Sequence, residues 1–258
     1  MVARGKAEVP AVAPASAGQA VSTKSMSERY AELRSRRVSM IDLLVTLVLL
    51  MVAAPFVHQV QYGQLIEAVL LTLVLLSAVA VVGASRRMLL LATVLAAPAV
   101  VGSWINHVRP DWLPPEIYLT SSLLFVAFVV VNLLRFTLRA PRVNVEVLCA
   151  AISNYLMIGL LWMFAYLLAA RLVPDAFSFT VGPASDRLLD GFNALYFSFV
   201  TLSTVGYGDI VPLSRVVRML SILEATTGMF YVTVLVARLV ALYSTEGSQQ
   251  GASDTKKR

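Results

Sequence analysis

Apolar residues run almost unbroken through six stretches of the chain, at 40–57, 65–82, 88–105, 117–134, 147–168 and 216–242, and a shorter apolar stretch at 191–203 precedes the last. A helix of about 18 or more apolar residues rises roughly 27 Å, close to the hydrocarbon thickness of a bilayer. The pattern therefore predicts an all-α membrane protein with six transmembrane helices. The stretch at 191–203 is too short to cross. It lies inside the longest polar joint, 171–215, where Pro174, Asp175, Asp186 and Asp190 surround an apolar centre. Sequence that enters a membrane and turns back must be shielded from lipid or line a water-filled cavity, so this re-entrant segment is the expected seat of function.

Composition supports that reading: of 258 residues, 58% are hydrophobic and only 14% charged. The net charge of +6 would suggest an acidic partner in a soluble protein. Here the basic residues sort by side of the membrane. Of the 21 Lys and Arg residues, only Arg109, Arg171, Arg187, Arg215 and Arg218 fall on the side opposite the N-terminus. Basic loops stay in the cytoplasm, which places both termini inside a plasma or inner membrane and removes the case for a nucleic-acid partner. The single cysteine, Cys149, lies in an apolar run and reads as a small core residue. No metal-ligand cluster, nucleophile motif or phosphate-binding loop points to an enzyme or an organic cofactor.

The segment Thr204-Val205-Gly206-Tyr207-Gly208-Asp209 carries the chemistry. A potassium ion leaving water needs oxygens that replace its hydration shell, and rings of backbone carbonyls supply them. Successive peptides can point the same way only if the backbone alternates in conformation, which glycine accepts and other residues resist. Gly206 and Gly208 sit at that alternation. The carbonyls of Thr204, Val205, Gly206 and Tyr207, with the Thr204 hydroxyl at the inner end, would form stacked K+ sites. One chain carries one such loop, so four copies are needed, and a homotetramer is expected.

With its preceding residues, Thr201-Leu202-Ser203-Thr204-Val205-Gly206-Tyr207-Gly208-Asp209 resembles the pore signature of the tetrameric potassium channels, and the likeness is specific over about 147–243. It implies a potassium-selective channel that conducts K+ passively, with K+ and membrane lipids as partners and K+ as the transported ion in place of a cofactor. A potassium-uptake subunit and a non-conducting or regulatory subunit are the alternatives. The implied division is a disordered cytoplasmic tail at 1–38, a four-helix transmembrane domain at 39–140, a pore domain at 141–243 and a short cytoplasmic tail at 244–258. The last of these is too short for a soluble regulatory domain.

Residues 192–201 would be the pore helix, its C-terminal dipole favouring a cation. Many relatives carry paired tryptophans where this chain has Tyr196 and Phe197, and some a glutamate where it has Val200. With no carboxylate at Val200, Asp209 is expected to accept a hydrogen bond from the Tyr196 hydroxyl. In the last span, Gly228 falls where the family often has a gating hinge, with close helix packing as its other reading. Met229, Val232, Val236 and Val240 then line the cavity and inner gate. Glu224 should point to the back of the pore helix and bond Ser203, Thr201 or Ser198, bracing the filter, sensing pH or making a plain structural polar contact. The first four spans correspond in position to a voltage sensor but lack its arginine row. Arg135 and Arg139 lie only at the end of the fourth. Asp42, His58, Glu67 and Asn132 are further polar residues near membrane depth, with His58 and Glu67 a possible proton-sensing pair.

Overall fold

The computed structural model describes residues 40–56, 63–82, 86–109, 112–142, 144–181 and 188–255. The expected tail at 1–38 and His58 lie outside them. Among the described residues seven helices and two short strands follow one another: α1 (Met40–Phe56), α2 (Gly63–Val82), α3 (Arg86–Val108), α4 (Pro115–Arg139), α5 (Val145–Leu172), β1 (Phe177–Phe179), α6 (Gly191–Leu202), β2 (Ile210–Pro212) and α7 (Arg215–Thr255).

Local chemistry accounts for the helix starts. Pro115 opens α4, where its missing N–H costs nothing, and Glu116 and Arg139 complement the two ends of the helix dipole. The Asn144 side chain caps α5 by accepting from the Val147 N–H at 2.9 Å. Asp190 caps α6 in the same way, accepting from the Asn193 N–H at 2.8 Å.

Five described helices are long and apolar enough to cross a membrane: Leu65–Val82, Arg86–Asn106, Pro115–Arg139, Val145–Leu172 and Arg215–Arg238. The expected first span is represented by α1, of which 17 residues are described. Along α1, Met40, Leu43, Leu47, Leu50 and Ala54 are buried at three- and four-residue spacing, whereas Val45, Leu49, Val52 and Phe56 face outward. A helix apolar on both faces suits a lipid surround.

The core centres on α5, which packs against α4, α6 and α7. Within its span 61% of residues are buried, against 17% for α7. Contact along α7 follows a single stripe: Val217, Glu224, Gly228 and Tyr231 are buried, with Ser221 and Leu235 beside them partly covered. The helix continues to Thr255, beyond the apolar stretch that ends at 242, because the backbone ladder needs no apolar side chains.

The antiparallel pair of β1 and β2, with Phe177 opposite Pro212 and Phe179 opposite Ile210, is absent from the sequence expectation. It ties the segment before α6 to the residues that follow the glycine-rich loop.

Candidate functional site

Residues 203–209 connect α6 to β2, and from Ser203 to Gly208 they are exposed. Their backbone alternates: φ is +60° at Thr204, +58° at Gly206 and +80° at Gly208, with Val205 and Tyr207 on the negative side. Glycine adopts positive φ freely, but Thr204 does so at a cost of about 1–2 kcal/mol. Hydrogen bonds hold it there. The Thr204 N–H donates to the Thr201 carbonyl at 2.9 Å, and the N–H groups of Val205 and Gly206 both donate to the Val200 carbonyl, at 2.9 and 3.3 Å.

These bonds orient the loop's carbonyls. In a trans peptide the C=O of one residue is antiparallel to the N–H of the next. Because the Val205 and Gly206 N–H groups turn back to the end of α6, the Thr204 and Val205 carbonyls point away from it. The last turn of α6 thus acts as the anchor for one wall of the loop.

The outer end is held from two sides. The Tyr196 hydroxyl donates to Asp209 Oδ2 at 2.7 Å, the hydrogen bond expected from the sequence, and the Ile210 N–H donates to Oδ1 at 3.0 Å. The Tyr196 ring stacks on Tyr207, centroids 6.4 Å apart and planes within 6°. Burial first, then the bond to Asp209, pushes the Tyr196 hydroxyl up to about 12, so it stays a donor at physiological pH. From β1's side, the Thr180 N–H donates to the Asp209 carbonyl at 2.8 Å, while its hydroxyl lies 3.0 Å from the Gly208 carbonyl. Thr180 was not anticipated; its signal was the Phe-Ser-Phe-Thr alternation at 177–180, too short to separate from a loop.

Behind the loop, Phe197 is buried in edge-to-face contact with Tyr166 and Phe177, at centroid distances of 4.9 and 5.3 Å. Glu224 is fully buried. Of the three hydroxyls expected to meet it, Ser198 does, at 2.6 Å from Oε1. Ser203 instead donates to the Phe199 carbonyl at 2.6 Å, closing the end of its own helix. The Thr201 carbonyl serves the loop through Thr204. The second partner of Glu224 is Tyr166 of α5, which donates to Oε2 and was missed because it lies 58 residues away in the chain.

Gly228 sits against the end of α6, where a Cβ would run into the Leu202 carbonyl. Close packing is therefore its visible role, and α7 is unbroken through it. Met229, Val232, Val236 and Val240 are exposed along one face of α7. Glu67 reaches from α2 to Gly191 at the start of α6, and Asn132 donates within its own helix to the Phe128 carbonyl at 2.7 Å.

Comparison with known proteins falls on the same region. Residues 162–245, about a third of the chain, match the family model described as "Ion channel". With five helices fit to cross a bilayer, these are the features of an integral membrane protein bearing an ion-channel segment. The chain is 47% identical over 67 residues to "Two-pore potassium channel 4" of Arabidopsis thaliana, covering 26% of this chain and 22% of that one. It is 39% identical over 90 residues to "Two pore potassium channel a" of Oryza sativa subsp. japonica, covering 33% and 24%. The chain thus spans less than a quarter of the length of either curated relative. No solved structure matches it.

Proposed function

We propose that this chain is one subunit of a homotetrameric, potassium-selective channel, and that Thr204 to Gly208 form its selectivity filter. The observation that carries the reading is the alternation of φ through 204, 206 and 208 with the loop's N–H groups turned back to α6. That arrangement frees the Thr204 and Val205 carbonyls for an ion, and with Gly206 and Tyr207 they would make the stacked oxygen sites that K+ needs. The similarity of residues 162–245 to an ion-channel model supports it, as do relatives named as potassium channels.

Four-fold assembly is supported by what one chain leaves uncovered. Val205, Tyr207, Met219, Ile222, Met229 and Phe230 are each at least half exposed. Irregular polar backbone at membrane depth must be shielded from lipid, and further copies of the chain around the loop would supply that shield. In the tetramer Met229, Val232, Val236 and Val240 line the inner mouth, where apolar rings gate by dewetting. Asp209, Tyr196, Phe197, Thr201, Ser203 and Glu224 support the filter. Gly228 fixes α7 against α6 and is the point about which a gating bend would form. A sixth crossing by α1 and two cytoplasmic termini complete the topology.

The test is flux through the purified chain in liposomes with K+ on one side and Na+ on the other. A reversal potential near that for K+ is expected. A potential near zero overturns the reading, and absence of flux from an assembled tetramer favours a non-conducting subunit. Gly206→Ala should abolish selective current without preventing assembly, because a side chain at φ +58° costs about 1–2 kcal/mol in each of four chains.

A further inference from the structure

Among the described residues, Glu224 is the one carboxylic side chain with no exposed surface. From α7 it is clasped by two other helices. Oε1 lies 2.6 Å from Ser198 Oγ of α6, and Oε2 accepts from the Tyr166 hydroxyl of α5. Ser198 Oγ is at the same time 2.8 Å from the carbonyl oxygen of Gly159 in α5.

The protons can be counted. A serine hydroxyl carries one hydrogen, yet Ser198 Oγ stands at hydrogen-bonding distance from two oxygens. Were Glu224 a carboxylate, one of those two contacts would hold no proton and would bring bare lone pairs together. The charge would also be buried with no cation touching it, which proteins avoid. A proton on Oε1 resolves both faults. Glu224 then donates to Ser198, Ser198 donates to Gly159, and Tyr166 donates to Oε2, so each contact holds one hydrogen. The titratable groups facing the carboxyl are Tyr166 and, farther off, Tyr155, both on α5. The contacts described from α6 and α7 add no charge.

We propose that Glu224 works as a neutral carboxylic acid, a proton-carrying clasp that positions the pore helix against the outer and inner helices. The positioning has an address. Glu224 lies one turn before Gly228, which abuts Leu202 at the end of α6, and the last turn of α6 holds the N–H groups of 204–206. Ionisation leaves the Ser198 proton shared between two acceptors and loosens α6 at the base of the filter. High pH therefore weakens conduction through this residue. That consequence rests on the channel reading; the protonation state does not.

Infrared difference spectroscopy of the purified full chain, wild type against Glu224→Gln at neutral pH, tests the proton directly. A protonated-carboxyl C=O stretch is expected in the wild type and lost in the variant. Tyr166→Phe is the second variant: it removes the donor to Oε2 and should shift the band to higher wavenumber. In liposomes, wild-type K+ flux should fall as pH is raised, while the flux of Glu224→Gln stays level over the same range. Absence of the band, or parallel decline in both proteins, overturns the proposal. A chain that carries no K+ but shows the band and its shift fails the channel reading and upholds this one.

Discussion

At Tyr196 one phenol does two jobs: its ring lies parallel to Tyr207 and its hydroxyl reaches Asp209. Tyr196→Phe keeps the stacked ring and removes the hydrogen bond. The loss should weaken the proposed conducting filter by about 1 kcal/mol, a factor of roughly five in its population. The expected result is shorter openings and faster inactivation with K+ selectivity kept, measured in steady single-channel recordings; unchanged open times would show that Asp209 needs no tyrosine. The pH dependence has a defined sign. Because the Tyr196 hydroxyl is raised, its contribution is fully present below the ordinary tyrosine value of 10.0 and is lost only as pH rises through about 12. This partnership was legible in the sequence because the two residues flank one short loop and both polar tips needed partners. The Thr180 and Tyr166 contacts were not, since they join positions 28 and 58 residues apart and leave no local pattern.

Among the elements, the helices were legible and the strands were not. The apolar stretch predicted at 65–82 ends with α2 at Val82, and the stretch at 191–203 coincides with α6 to within a residue. Length and apolarity suffice where backbone bonds must close within each segment. Three-residue strands rest on pairing across the chain, which periodicity cannot report. Gly228 shows the same division. Its place on α7 was legible, but its contact with Leu202 emerges only when α6 and α7 are packed. Gly228→Ala should force α6 and α7 apart at the base of the 203–209 loop, with an overpacking cost of about 1–3 kcal/mol. A lowered midpoint for thermal unfolding of the purified protein is expected. An unchanged midpoint would mean that α7 slides to admit the methyl group, and would favour a hinge over a packing contact.

For the molecule as a whole, the question is what would open the proposed channel. One elementary charge crossing the full field is worth about 2.3 kcal/mol per 100 mV, and steep voltage dependence needs several per subunit. On the proposed channel reading α4 would correspond to a voltage-sensing helix, yet between Glu116 and Arg135 it carries no charge over more than four turns. Arg135 and Arg139 fall in its last two turns, where their long stems let the guanidinium groups reach the interface without entering the membrane's centre. Arg238 of α7 meets the same end of α4, donating to the Ala140 carbonyl at 2.9 Å, so α7 and α4 are linked there by a polar contact. If the proposed channel forms, its conductance should therefore vary shallowly with voltage. In planar bilayers, neutralising Arg135 and Arg139 together should leave the slope of the conductance–voltage relation nearly unchanged. A steep sigmoid in the wild type, flattened in the double variant, would instead show these two arginines crossing the field, and would restore to α4 the sensing role its composition denies it.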